Sequence, residues 1–228
     1  DLLSHTEQFA SIGGWEIDIE TEELRWTDGT YAVYDIDPES DFDPTVDVAL
    51  GFYHPEDRHT LKRALQQSMD EGEPYDLELR IITHEDEIRW VRTAGRPIYQ
   101  NGELVRIRGV IRDITSRKLR TQAMEDAPVG IAIDETNQND TELIYVNNAF
   151  TELTGYSEEE VIGRNCRFLQ GEGTDEETVK TVREAIKNEE TVSVELKNYR
   201  KDGTAFWNEL TIAPVRDDEG KVTHFVGF

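Results

Sequence analysis

Cys166 is the single cysteine of the 228-residue chain, and it lies in a run of mixed chemistry, GRNCRFLQ, at 163–170. A thiol packs as a small apolar side chain, ligates or pairs, or reacts. With one cysteine no intrachain disulfide can form. His5, His54, His59, His84 and His224 are scattered without ligand spacing, so no metal site is expected. Taken alone, Cys166 reads as core. Arg167 and Arg183 are a second candidate set, because two guanidinium forks can clamp a phosphate pairwise. A surface arginine on an acidic helix is more often a solvated ion pair. Asn198 and Asn208 are the third set. In VSVELKN the side chains of Val192, Val194, Leu196 and Asn198 share one strand face, and in FWNELTI those of Phe206, Asn208, Leu210 and Ile212 do. Each face is apolar except for one amide, and a turn at KDG makes the two amides neighbours. Burying an amide unpaired costs a few kcal/mol. The two asparagines therefore pair with each other or a water, or meet a ligand edge that offers complementary donors and acceptors.

The elements that position these residues show in an internal repeat. Residues 76–115 and 193–228 align with Trp90 and Trp207 117 apart, as are Pro97 and Pro214, and with Gly102 and Gly220 118 apart, as are Gly109 and Gly227. Each copy is three strand-like runs joined by turn residues, HEDE and NG in the first, KDG and DDEG in the second, which predicts a three-stranded antiparallel meander. Short strands are expected upstream at 15–19 and 24–26, and again at 131–134 and 143–146. Helices are expected at 57–69 (Leu61, Ala64, Leu65, Met69) and 174–187 (Val179, Val182, Ile186, with Arg183 beside them), the second capped by Asp175. The fold class is α+β: two domains, each a five-stranded antiparallel sheet with short helices on one face. The expected boundaries are an N-terminal helix at 1–12, domains at 13–115 and 127–228, and a connecting helix at 116–126.

Acids outnumber bases 49 to 24, for a net charge of −25. The excess is spread along the chain, as in the acidic surfaces that keep halophilic proteins solvated. Such a surface repels nucleic acid and anionic membranes. No apolar run approaches the roughly 20 residues of a membrane span, and with no signal peptide visible a cytoplasmic location is expected. The chain begins at Asp1 rather than methionine and reads as a fragment. No nucleophile–base pair, metal cluster or phosphate-binding glycine loop is visible, so enzymatic activity is not expected of these residues. Acid pairs such as Glu158 with Glu160, and Asp217 with Glu219, read as solvated surface.

GRNCRFLQ, with Arg183, Asn198, Asn208, Phe225 and Gly227 at matching spacings, resembles the light-oxygen-voltage (LOV) domains, the blue-light subset of the PAS family. The resemblance covers most of 127–228. It implies that Cys166 adds to carbon C4a of a photoexcited flavin while N5 gains a proton. Arg167 and Arg183 are implied to hold the phosphate, Asn198 and Asn208 the pyrimidine edge, and Asn165 and Gln170 further polar positions. Leu169, Val179, Ile186, Leu210, Ile212 and Phe225 are implied to line the apolar slot. FMN is favoured over FAD because the segment 170–175 is short. The family's N5-contacting glutamine falls one residue beyond Phe228, and Ile133 stands where some relatives carry a small polar residue. Residues 13–115, with GGWEIDIETEELRWT, FYHPEDR and RGVIRDIT, also resemble a PAS domain. Ile81 and Val91 replace the two asparagines there, and Ile111 the glutamine, so no flavin chemistry is expected of it. The function implied is a blue-light sensory module, a homodimer through its PAS domains or flanking helices, signalling to a kinase or DNA-binding output outside this chain. Two alternatives are a flavin redox sensor and a cofactor-free PAS dimerisation module.

Overall fold

The computed structural model describes residues 12–137 and 140–228, which divide into two compact units between Leu119 and Arg120. The expected helix at 1–12 lies, but for Ile12, outside the described residues. The first unit contains β1 (Ile12–Asp18), β2 (Leu24–Trp26), α1 (Asp28–Val33), α2 (Val46–Gly51), α3 (Arg58–Asp70), β3 (Tyr75–Ile82), β4 (Ile88–Gln100) and β5 (Glu103–Asp113). Its sheet runs β2-β1-β5-β4-β3. After α4 (Thr115–Glu125) the second unit repeats the plan with β6 (Ala132–Asn137), β7 (Asp140–Val146), α5 (Asn148–Thr154), α6 (Glu158–Val161), a 3-10 turn (Cys166–Leu169), α7 (Glu176–Lys187), β8 (Val192–Tyr199), β9 (Ala205–Arg216) and β10 (Val222–Gly227). Its sheet runs β7-β6-β10-β9-β8. All pairs are antiparallel, and the α+β architecture of two five-stranded sheets is as expected. No helix among the described residues is long and apolar enough to cross a membrane.

The period of two explains the layers. On β3 and β4, Leu79, Ile81, Val91 and Thr93 are buried, while the intervening Glu78 and Arg92 are exposed. Their inner face packs on Val33, Tyr34, Tyr53 and Leu61 of the helical layer. The Asn101-Gly102 link between β4 and β5 has positive φ at both residues (53° and 89°), which Asn-Gly tolerates best. In the second unit Asp175 caps α7 by accepting from Thr178 N, as the sequence predicts. β1 starts three residues before the expected Trp15. The early start takes in Gly13 and Gly14, which a propensity argument counts against a strand. The strand needs glycine because α1 lies on it: a Cβ on Gly13 would sit 2.1 Å from Thr30 N.

The end of the first sheet is tied to α4 by side chains. Trp90 N donates to Thr115 Oγ1 at 3.0 Å, and Thr115 N donates to Asp113 Oδ1 at 2.7 Å.

Asn147 organises the start of the second unit. Fully buried, it accepts through Oδ1 from Ile131 N (2.8 Å) and Phe150 N (3.0 Å) and donates through Nδ2 to Met124 O (3.0 Å) and Val129 O (2.9 Å). It thereby caps α5 and holds the entering chain against β6. Asn147→Ala strands buried backbone groups as well as a helix cap, each worth about 1 kcal/mol or more. We expect a loss of about 3 kcal/mol for this unit, measured as a lower urea midpoint with an unchanged m-value.

Candidate functional site

The two hairpins share one register, so the units can be compared residue by residue. Leu79 pairs with Val91 and Ile81 with Arg89 in the first; Leu196 pairs with Asn208 and Asn198 with Phe206 in the second. Trp15 pairs with Gly109 across β1 and β5, and Ala132 pairs with Gly227 across β6 and β10. Ala132 therefore stands where the first unit has Trp15, and Asp134 where it has Ile17.

That exchange changes the space at the centre of the sheet. In the first unit a Cβ on Gly109 would lie 2.1 Å from the Trp15 ring and 2.3 Å from Ala94 O. The glycine is needed because the indole lies on it. Trp15 also stacks on Tyr75 and Trp26 on Tyr34, and these rings fill the inner face down to a small cavity of about 50 Å³. In the second unit a Cβ on Gly227 would meet nothing nearer than Leu210 Cδ1 at 3.8 Å. No side chain among the described residues requires that glycine, so its backbone is open to the approach of a flat ring. Three positions of β9 keep partial exposure where their counterparts on β4 are sealed: Asn208, Leu210 and Ile212 are half-buried, whereas Val91, Thr93 and Gly95 are buried.

Cys166 opens the 3-10 turn, which Asn165 caps by accepting from Arg167 N at 2.9 Å. Asn165 Nδ2 donates to Thr141 O (2.8 Å) and Thr141 Oγ1 (3.0 Å), pinning the turn to β7. Its amide is thus engaged in positioning the cysteine. The thiol packs against the cluster of Ala132, Leu143, Val146, Phe150, Val161 and Leu169. Burial, then the negative charge of Asp134, pushes its pKa up, so the S–H is kept at neutral pH. Asp134 shares the inner face of β6 with Ala132 and pairs with Phe225 of β10. Sequence reasoning took it for an ordinary strand residue; aligning β6 on β1 through the repeat would have shown an acid in an inner position. With the Asp134 charge removed the thiol ionises more readily. Asp134→Asn is expected to speed iodoacetamide alkylation of Cys166 severalfold between pH 8 and 9; an unchanged rate would show that burial alone sets the thiol.

Asn198 is buried at 4% exposure. Its Nδ2 donates to Leu169 O at 3.2 Å, linking the cysteine-bearing turn to β8, and its Oδ1 accepts from Asn208 Nδ2 at 2.9 Å. The two amides are neighbours across the hairpin, as their spacing requires, and in this structure they pair with each other. Leu169, Val179 and Phe225 are buried and Ile186 is half-buried, while Arg167, Gln170 and Arg183 are exposed. The structure thus brings Cys166, Leu169, Asn198 and Asn208 into one connected set.

Comparison with known proteins agrees with this architecture. Residues 128–228 match a family described as PAS domain, and residues 23–111 one described as PAS fold. A bacterioopsin transcriptional activator of Halobacterium salinarum is 44% identical over 121 residues, which are 52% of this chain and 18% of that protein. A blue-light photoreceptor of Listeria monocytogenes is 49% identical over 106 residues, 46% of this chain and 42% of that one. Blue-light-activated histidine kinase 1 of Erythrobacter litoralis is 44% identical over 110 residues, 48% of this chain and 31% of that one. The chain thus spans less than half the length of these relatives. The Halobacterium relative accords with the acidic composition of a halophile. Two PAS domains in tandem make up this chain, and the second is LOV-like.

Proposed function

We propose that residues 127–228 form a blue-light sensory domain that binds FMN and bonds it reversibly to Cys166, and that residues 13–115 form a PAS domain without flavin chemistry. The observation that carries this reading is the free space over Gly227, left open because Ala132 stands where the first unit has Trp15, with Ala132 itself packed in the cluster beside Cys166. The names of the relatives from Listeria and Erythrobacter supply the blue-light role. Their greater length supports an output, a kinase or a regulator, that these residues do not contain.

A bound flavin would supply blue-light absorption and an electron-poor ring carbon. The chain's own residues supply the rest. Cys166 brings a neutral thiol, whose sulfur becomes reactive when light rather than a lowered pKa provides the drive. Asn198 and Asn208 carry amide donors and acceptors suited to a pyrimidine edge, their mutual bond being exchanged for bonds to the ligand. Arg167 and Arg183 are exposed guanidinium groups suited to a terminal phosphate. Leu169, Val179, Ile186, Leu210, Ile212 and Phe225 exclude water, and Asn165 and Gln170 flank the turn. Homodimerisation through PAS surfaces or flanking helices completes the proposal.

The amide pair also suits a cofactor-free scaffold, since it leaves Asn198 satisfied without a ligand. One experiment separates the readings. The purified chain, mixed with FMN and gel-filtered, is expected to remain yellow, to lose its blue absorption under blue light without reductant, and to regain it in darkness. A colourless protein leaves the scaffold; colour that bleaches only with reductant leaves a redox sensor.

A further inference from the structure

The outer face of the first sheet carries a cluster of cations at odds with a chain of net charge −25. Arg92 and Arg96 project from β4, and Arg108 and Arg112 from β5; all four are exposed. The register sets Arg92 directly opposite Arg112 and Arg96 directly opposite Arg108. Like charges in facing positions destabilise a sheet. Asp76 pairs with Arg92 and Glu16 with Arg108, whereas Arg96 and Arg112 have no ion pair among the described residues. Glu78, which faces Arg92 on β3, is held by Arg117 and Lys118.

Between the two arginine rows runs a lane of small residues. Ala94 faces Val110, and Val110 faces Gly14; on the β3 side the lane ends at Asp76, which faces Ala94 and is paired with Arg92. Val110 is 49% exposed. Arg92 and Arg96 are four residues apart on one strand, so the rows stand about 13 Å apart. An α-helix with its side chains is about 10–12 Å across. The lane lies within a groove of about 830 Å³ lined also by Trp15, Arg25 and Trp26.

We infer that this groove docks an amphipathic acidic helix of a partner protein, laid across the strands with an apolar stripe on Ala94 and Val110 and carboxylates toward Arg96 and Arg112. Pairing of the same face between two copies is disfavoured, because a two-fold contact sets arginine against arginine. Nucleic acid is disfavoured by the long-range field of the acidic chain. The inference is independent of any flavin chemistry in the second unit.

The test uses the full chain and a fluorescein-labelled synthetic helix of about 18 residues, five turns, with a Leu/Ala stripe flanked by Glu. Polarisation at low salt is expected to show binding that weakens roughly tenfold or more for Arg96→Gln/Arg112→Gln and for a peptide with Gln in place of Glu. Because the two arginines face like charges and make no ion pair among the described residues, the double variant is expected to melt at the same temperature as the parent or about 1–4 °C higher. Unchanged peptide affinity in the double variant overturns the inference. So does Arg96- and Arg112-dependent capture of a single-stranded DNA oligonucleotide in place of the peptide, or self-association of the parent chain lost in the double variant. A melting point lowered by several degrees overturns it as well, since the arginines would then be holding the fold.

Discussion

Cys166→Ala is expected to keep the flavin and lose the photochemistry. The substitution removes one sulfur from a turn whose geometry is set elsewhere, by the Asn165 cap and the Asn198 bond to Leu169 O. Its stability cost is small, about 1 kcal/mol or less, because a cysteine packs as a small apolar group. The FMN-loaded variant should therefore show the dark spectrum of the parent. Under blue light it should show none of the parent's reversible bleaching, a complete loss rather than a graded one, because no other cysteine exists in the chain. Reductant should still bleach it. A variant that bleaches under light and recovers like the parent would remove Cys166 from the mechanism.

Ala132→Trp is the complementary change, acting on space rather than reactivity. The first unit shows that this sheet can carry an indole at the equivalent position, with Trp15 lying on Gly109. Gly227, which pairs with Ala132, can accept the same ring. Ala132 also packs in the cluster beside Cys166, so some overpacking is expected, about 1–3 kcal/mol, against a domain stability of about 5–15 kcal/mol. The domain should stay folded by circular dichroism and lose FMN affinity by roughly a hundredfold or more, since the indole occupies the face on which the ring would lie. Ala132→Val should give a smaller loss in the same direction. Retained FMN affinity in a folded Ala132→Trp protein would place the flavin elsewhere. These two variants fail independently: the first tests the sulfur, the second tests the floor.

What the sequence determined alone is what depends on neighbours along the chain. Alternation in VSVELKN and FWNELTI put Asn198 and Asn208 on apolar faces, and KDG placed the hairpin turn, because strand pleat and turn torsions are set within a few residues. The repeat gave the shared plan of two meanders, and Asp175 gave a helix start. What only the tertiary structure decided is how faces meet across distant segments. Whether a PAS-type sheet closes on itself depends on Trp15 against Gly109 in one unit and Ala132 against Gly227 in the other, pairs far apart in sequence and joined by strand order. Asn165 read as a ligand contact, yet its amide bonds to Thr141 on β7, and no local pattern reports that partner. Asp134 reads from sequence as the end of an ordinary strand, and only its strand neighbours put it on the inner face of β6 with Ala132. The arginine rows likewise form only when β4 and β5 fall into register. Side-chain volume and charge act through space, so residues that look ordinary in line take their roles from what the fold lays over them.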